Sequence, residues 1–141
     1  MPRFKERKAV SVECRVSGHL RANEFKVEIE REGWENVASF LKNVSFADFP
    51  DGKELRLDFV ESRELDVLVF FTEWVVNKAS CDVVIRLGSG KRGLLFSGCY
   101  VDSIIIDELD SSDGEKDINV SVILKYVAVF IIDKERSKVV G

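Results

Sequence analysis

The stretch Leu55 to Leu87 constrains this chain more than any other. It reads as strand, helix, strand. Leu55, Leu57 and Phe59 alternate with Arg56 and Asp58, the period of a half-buried strand. Val83, Ile85 and Leu87 repeat that period on the far side. Between them Val67, Phe70, Phe71, Trp74 and Val75 stand at i, i+3, i+4, i+7 and i+8, a continuous apolar stripe on a helix over about residues 62–77. Ser62 is the expected N-cap, and Glu64 and Asp66 fall in the first turn, where the helix dipole favours negative charge. A stripe of two Phe and one Trp must cover a large apolar surface. The expected surface is the open end or flank of a curled sheet, with Val67, Phe70, Phe71 and Trp74 packing the helix onto a barrel.

The rest of the chain reads mainly as β. Residues 1–8 form a short basic arm carrying Arg3, Lys5, Arg7 and Lys8. Val10, Val12, Cys14 and Val16 alternate with polar residues and predict a strand. Gly18-His19 begins a turn, and Phe25, Val27 and Ile29 predict a second strand, antiparallel to the first. Residues 33–46 show helical spacing at Trp34, Val37, Ala38, Leu41 and Val44, but are expected to be strand or irregular. Phe49-Pro50-Asp51-Gly52 marks a turn. Gly88 to Gly93 predicts a hairpin loop into a strand from Leu94 to Val101 that bends towards Ile104–Ile106, with a bulge at Gly98. Residues 107–117 hold Asp107, Glu108, Asp110, Asp113, Glu115 and Asp117 against Lys116, an exposed acidic loop. A last long strand alternates from Ile118 to Tyr126 and turns apolar on both faces from Val127 to Ile132. A strand apolar on both faces is covered on both, so Val127, Val129 and Ile131 are the candidate subunit interface. Residues 133–141 form a charged tail.

With 141 residues, 45% of them apolar and 33% charged, the chain fits a single globular domain over 1–141. The longest wholly apolar run, Val127 to Ile132, is far short of the ~18 residues that span a bilayer. The net charge of −4 argues against a general nucleic-acid binder. No apolar segment follows the charges of the first eight residues, so no secretory leader is expected and assembly in a cytoplasm is favoured. Cys14, Cys81 and Cys99 lack metal-site spacing, and His19 is the sole histidine, so buried free thiols are expected. Gly88-Ser-Gly-Lys91 fails as a phosphate loop: Ile85 occupies the position of the first glycine, and Arg92 that of the hydroxyl residue. Asp110-Ser-Ser-Asp113-Gly114-Glu115 fails as a calcium loop, because Leu109 and Val120 fall where the first and last ligands belong. No nucleophile, base and acid stand in a recognisable spacing, so no enzyme activity and no cofactor or metal are expected.

The order of the features resembles the tail tube protein family of contractile-tailed bacteriophages, related more distantly to the tube protein of type VI secretion. Four pieces carry the resemblance: Leu20 to Ile29; Phe46-Ala-Asp-Phe49 with Leu55 to Phe59; the helix ending in Phe71-Thr-Glu-Trp74; and Phe96 to Val101 with Ile118 to Tyr126, closing on Leu124-Lys-Tyr126. Together they cover most of residues 20–130, and the connection from Ile29 to Phe46 is short for that family. The resemblance implies an antiparallel β-barrel or sandwich with one flanking helix. It implies a structural virion protein whose subunits form rings of six, stacked into a tube through which DNA passes without specific binding. Two β-hairpins per subunit would join into a continuous barrel. It implies further copies of the chain, tail sheath and baseplate proteins as partners, no membrane, and a place in the virion tail. The alternatives are a secretion-tube protein, a tube initiator or terminator, and a small ligand-binding β-barrel.

Overall fold

One strand runs through both halves of the molecule, and the fold is arranged on it. The structure, a computed structural model, describes residues 19–133 and 137–139. The basic arm, the strand predicted around Val10 to Val16 and Cys14 lie outside the described residues. The elements are β1 (Phe25–Ile29), α1 (Trp34–Val37) running into a 3-10 turn (Ala38–Phe40), β2 (Leu41–Ala47), β3 (Glu54–Val60), α2 (Asp66–Asn77), β4 (Cys81–Leu87), β5 (Arg92–Ile106), β6 (Asn119–Lys125), β7 (Ala128–Ile132) and β8 (Ser137–Val139). β5 is the shared strand, 15 residues long.

The first part of β5 pairs with β4 on one side and β7 on the other, with β1 beyond β4 and β8 beyond β7. Its second part, from Tyr100, pairs with β6, and β3 and β2 follow outwards. Every pairing is antiparallel. The result is a sandwich-like pair of sheets joined through β5, and among the described residues the strand path stays open instead of closing on itself. The change of sheet takes place at Gly98. There Ser97 and Gly98 together oppose Asp82 alone, a β-bulge. Gly98 has φ +65, and a Cβ there would lie 2.9 Å from Val127 Cγ2. Only glycine fits both the angle and the space.

The core lies between the sheets. Val83, Phe96 and Val129 form a row across the first sheet and Leu57 and Val122 across the second, all fully buried. α2 lays Val67, Phe70, Phe71 and Trp74 over this core. Phe71 stacks on Trp74 at 6.0 Å and meets Phe59 at 5.3 Å, and Phe70 meets Trp34 at 5.7 Å. Both indole N–H groups are satisfied: Trp74 Nε1 donates to Ala79 O at 2.8 Å and Trp34 Nε1 to Val27 O at 3.1 Å. A second aromatic group, Phe46, Phe49, Phe96 and Tyr126, closes the other end.

Three sequence expectations are corrected. The stretch 33–46, read as strand or irregular, begins as a helical turn. Gly33 takes φ +96, and burial of Trp34 and Val37 draws the segment onto Phe59 and Phe70 before β2 begins. α2 starts at Asp66, not near 62, and Ser62 is not its formal N-cap. The Glu61 carboxylate takes most of the capping work, accepting from Val67 N (2.9 Å) and Leu68 N (2.8 Å), while Ser62 Oγ accepts from Asp66 N at 2.9 Å. The last strand is two strands, broken at Tyr126 and Val127. Within one subunit, burial on both faces falls on β6, where Val120 to Leu124 are all buried, while Val127 and Ile131 are exposed. Part of the tail is structured too: Ser137–Val139 pairs with Phe130–Ile132.

Two measurements check this account. Glu61→Ala should lower stability by about 1–2 kcal/mol in urea unfolding, because two helix-start N–H groups lose their acceptor. Trp74→Ala should cost about 3–5 kcal/mol, as expected for a buried indole.

Candidate assembly surface

The second sheet, in the order β2, β3, β6, β5, consists of two adjoining hairpins. Its inner face carries Leu55, Leu57 and Phe59 of β3 and Val120, Val122 and Leu124 of β6, which belong to the core. Alternation puts the intervening residues on the opposite face. That face reads Asn43 and Ser45 on β2, Glu54, Arg56 and Asp58 on β3, Ser121, Ile123 and Lys125 on β6, and Tyr100, Ser103 and Ile105 on β5.

The charges on this face neutralise one another. Arg56 Nε donates to Asp58 Oδ1 at 2.9 Å, and Arg56 Nη2 donates to Ser121 Oγ at 3.1 Å. Ser121 Oγ donates onward to Asp58 Oδ1 at 2.6 Å. Lys125 Nζ lies 3.6 Å from Glu54 Oε1, its register partner. The network explains why Ser121 is buried although it faces outward. The surface is therefore polar and internally paired, with Tyr100 and Ile105 about half exposed towards the β5 side.

Among the described residues, both sides of this sheet end in open edges. Among the described residues β2 pairs only with β3, and β5 from Val101 to Ile106 pairs only with β6. Such edges present unpaired N–H and C=O groups to any compatible strand. Neither contains proline. Each carries a register shift, between Leu41 and Asn43 on one side and between Val101 and Ser103 on the other. With four antiparallel strands, the two edges run in opposite directions. An edge-to-edge junction between two copies, β5 of one beside β2 of the next, therefore continues the antiparallel order.

The acidic loop joins β5 to β6 at one end of this sheet. Asn119 Nδ2 donates to Asp107 Oδ2 at 2.9 Å, and Ser112 N donates to Asp110 Oδ1 at 2.9 Å. Glu108, Asp110, Asp113, Lys116 and Asp117 surround a shallow open depression there. Among the described residues no three His, Cys, Asp or Glu side chains converge as a metal site would require, and no helix is long and apolar enough to cross a membrane.

Of the candidate interface residues, Val129 is fully buried inside the subunit, opposite Phe96 in the ladder. Val127 and Ile131 are exposed, at 69% and 43%. The resemblance implies hairpins that join between subunits, but which strands form the edges was not legible in the sequence, because an edge strand and a central strand share the same alternation. The one available signal was polar residues on one face of both β3 and β6. As a check on the network, Ser121→Val should destabilise the subunit by about 1–2 kcal/mol, since it leaves Arg56 and Asp58 without their shared partner.

No protein-family model matches the sequence, and no curated protein matches it. Solved structures do match. A chain of the anti-feeding prophage baseplate, determined by cryo-EM and 6-fold symmetrised, superposes with a TM-score of 0.57 at 11% identity, covering 86% of this chain and 100% of that one. Hcp2 from Salmonella typhimurium gives 0.55 at 7% identity, covering 83% and 92%. Hcp1 from the same organism gives 0.52 at 11%, covering 82% and 90%. At these identities the fold is what is shared, and it is the fold expected from the resemblance to tail tube and type VI secretion tube proteins.

Proposed function

We propose that this protein is a structural tube subunit: six copies join edge to edge into a ring, and rings stack around a lumen that conducts DNA. The observation that carries the reading is the pair of open, oppositely directed edges on one four-stranded sheet. Joining β5 of each copy to β2 of the next satisfies both edges and builds a continuous barrel. The polar face with Arg56, Asp58, Ser121, Glu54 and Lys125 then lines the lumen. Its charges are already paired, so it offers DNA no row of free cations to bind and no strong field to cross. The acidic loop 107–117 lies at the rim, where rings meet. Val127 and Ile131 add a further contact between copies, while Val129 stays within the subunit. The protein has no chemistry and no cofactor of its own. Its other partners are tail sheath and baseplate proteins, and its place is the virion tail after assembly in the host cytoplasm.

A second reading is favoured by the likeness to a baseplate chain that is covered over its full length. In that reading the subunit is an end piece that starts or stops the tube.

Negative-stain imaging together with mass measurement in solution tests both readings. Rings or tubes with a central hole are expected, and a 16.0 kDa monomer at high concentration would sink both. Long tubes from the pure protein favour the main tube subunit; single rings that do not stack favour the end piece. Ile105→Lys, on an exposed edge position, should abolish rings while leaving monomer unfolding unchanged within about 0.5 kcal/mol. Val129→Asp should unfold the monomer instead, because it buries a charge without a partner.

A further inference from the structure

Cys81 on β4 and Cys99 on β5 are direct register partners. Opposed residues of an antiparallel ladder project to the same face, with Cα atoms about 4.5–5.5 Å apart, within the span that a disulfide bridges. Both are free thiols. Cys99 is buried in the core and donates Sγ–H to Phe96 O at 3.3 Å, and Cys81 packs against the same core from a half-buried position.

The bulge creates this pairing. If the intact sequence paired as a regular ladder without the bulge, position 98 would face Cys81, and the two sulfurs would lie on opposite faces. The extra residue at Gly98 brings Cys99 round, and Asp82 Oδ1 holds the bulge by accepting from Gly98 N at 3.3 Å.

We propose that Cys81 and Cys99 form a modification site, a dithiol that closes to a reversible cross-strand disulfide by exchange with a small-molecule disulfide such as oxidised glutathione. The Cys81 thiolate attacks one sulfur of the small disulfide, forming a mixed disulfide at Cys81 and releasing one small thiolate. The Cys99 thiolate then attacks Cys81 Sγ and expels the second. Two protein thiols are oxidised, one small disulfide is reduced to two thiols, and the two cysteine protons pass to the departing thiolates. Cys81 is the entry point because it is the more exposed of the pair. Burial is the main reason that the thiols are pushed up, to about 11 at Cys81 and about 12 at Cys99. The reaction is therefore slow at neutral pH and speeds up as pH rises. The link would staple β4 to β5 where β5 leaves the first sheet for the second.

The test is incubation of the folded full-length chain with oxidised glutathione at pH 7 and pH 9, followed by alkylation, intact mass and peptide mapping. The expected product has lost two hydrogens, yields a peptide linked through Cys81 and Cys99, forms faster at pH 9, and reverts with dithiothreitol. Its Tm should rise by roughly 5–10 °C. Cys14→Ser should leave the reaction intact, and Cys81→Ser should abolish the link. A mixed disulfide that stays on Cys81, a link through Cys14, or an unmodified chain after prolonged incubation at pH 9 would each overturn the proposal.

Discussion

The bulge at Gly98 is the constraint on which the rest of the structure depends. A regular strand cannot belong to two sheets that face each other, because its two halves must point their core residues in different directions. One extra residue with a positive φ resolves this. Phe96 before it and Cys99 after it both enter the core, and Val101 and Ile104 continue into the second sheet. Without this bend the aromatic groups around Phe59 and around Phe96 would not enclose a common interior.

Around that strand the chain separates covering from presenting. α1 and α2 cover one flank, and their aromatic rings occupy one another through Trp34, Phe59, Phe70, Phe71 and Trp74. That ring-on-ring packing argues against a ligand pocket behind the stripe. The four-stranded sheet presents a level polar face and two edges. The same β3 and β6 strands do both jobs, with odd positions of β3 and even positions of β6 facing inwards. The Glu61 cap lies at the junction of the two roles, since it ends β3 and starts α2 within a few residues.

Much of this was legible in the sequence. The stripe Val67, Phe70, Phe71 and Trp74 could pack in only one way, and Gly98 stood out as a glycine inside a strand pattern. Other features depended on long-range partners. Trp34 and Val37 become helical because Phe59 and Phe70 lie beneath them, and local spacing alone did not decide between helix and strand. The run Val127 to Ile132 is apolar throughout, yet Val127 and Ile131 stay exposed and only Val129 is internal, while within one subunit β6 is the strand covered on both sides. Ser121 is the reason: its hydroxyl reads as solvent-facing in sequence, but Arg56 and Asp58 close over it. The alternation marked the polar face of β3 and β6 but not which strands lie at the edges.

The parity of the four-stranded sheet has a consequence of its own. With an even number of alternating strands, each copy hands its neighbour the same direction that it received, so the pattern can repeat without any copy being inverted. An odd number would force alternate copies to turn over, or would make every junction parallel. Nothing in the strand pairing then counts the copies. The number in a closed ring would be an angular property, set by how much each subunit turns the sheet. A register shift lies beside each edge, near Lys42 and Asp102, and such irregularities bend and twist a strand.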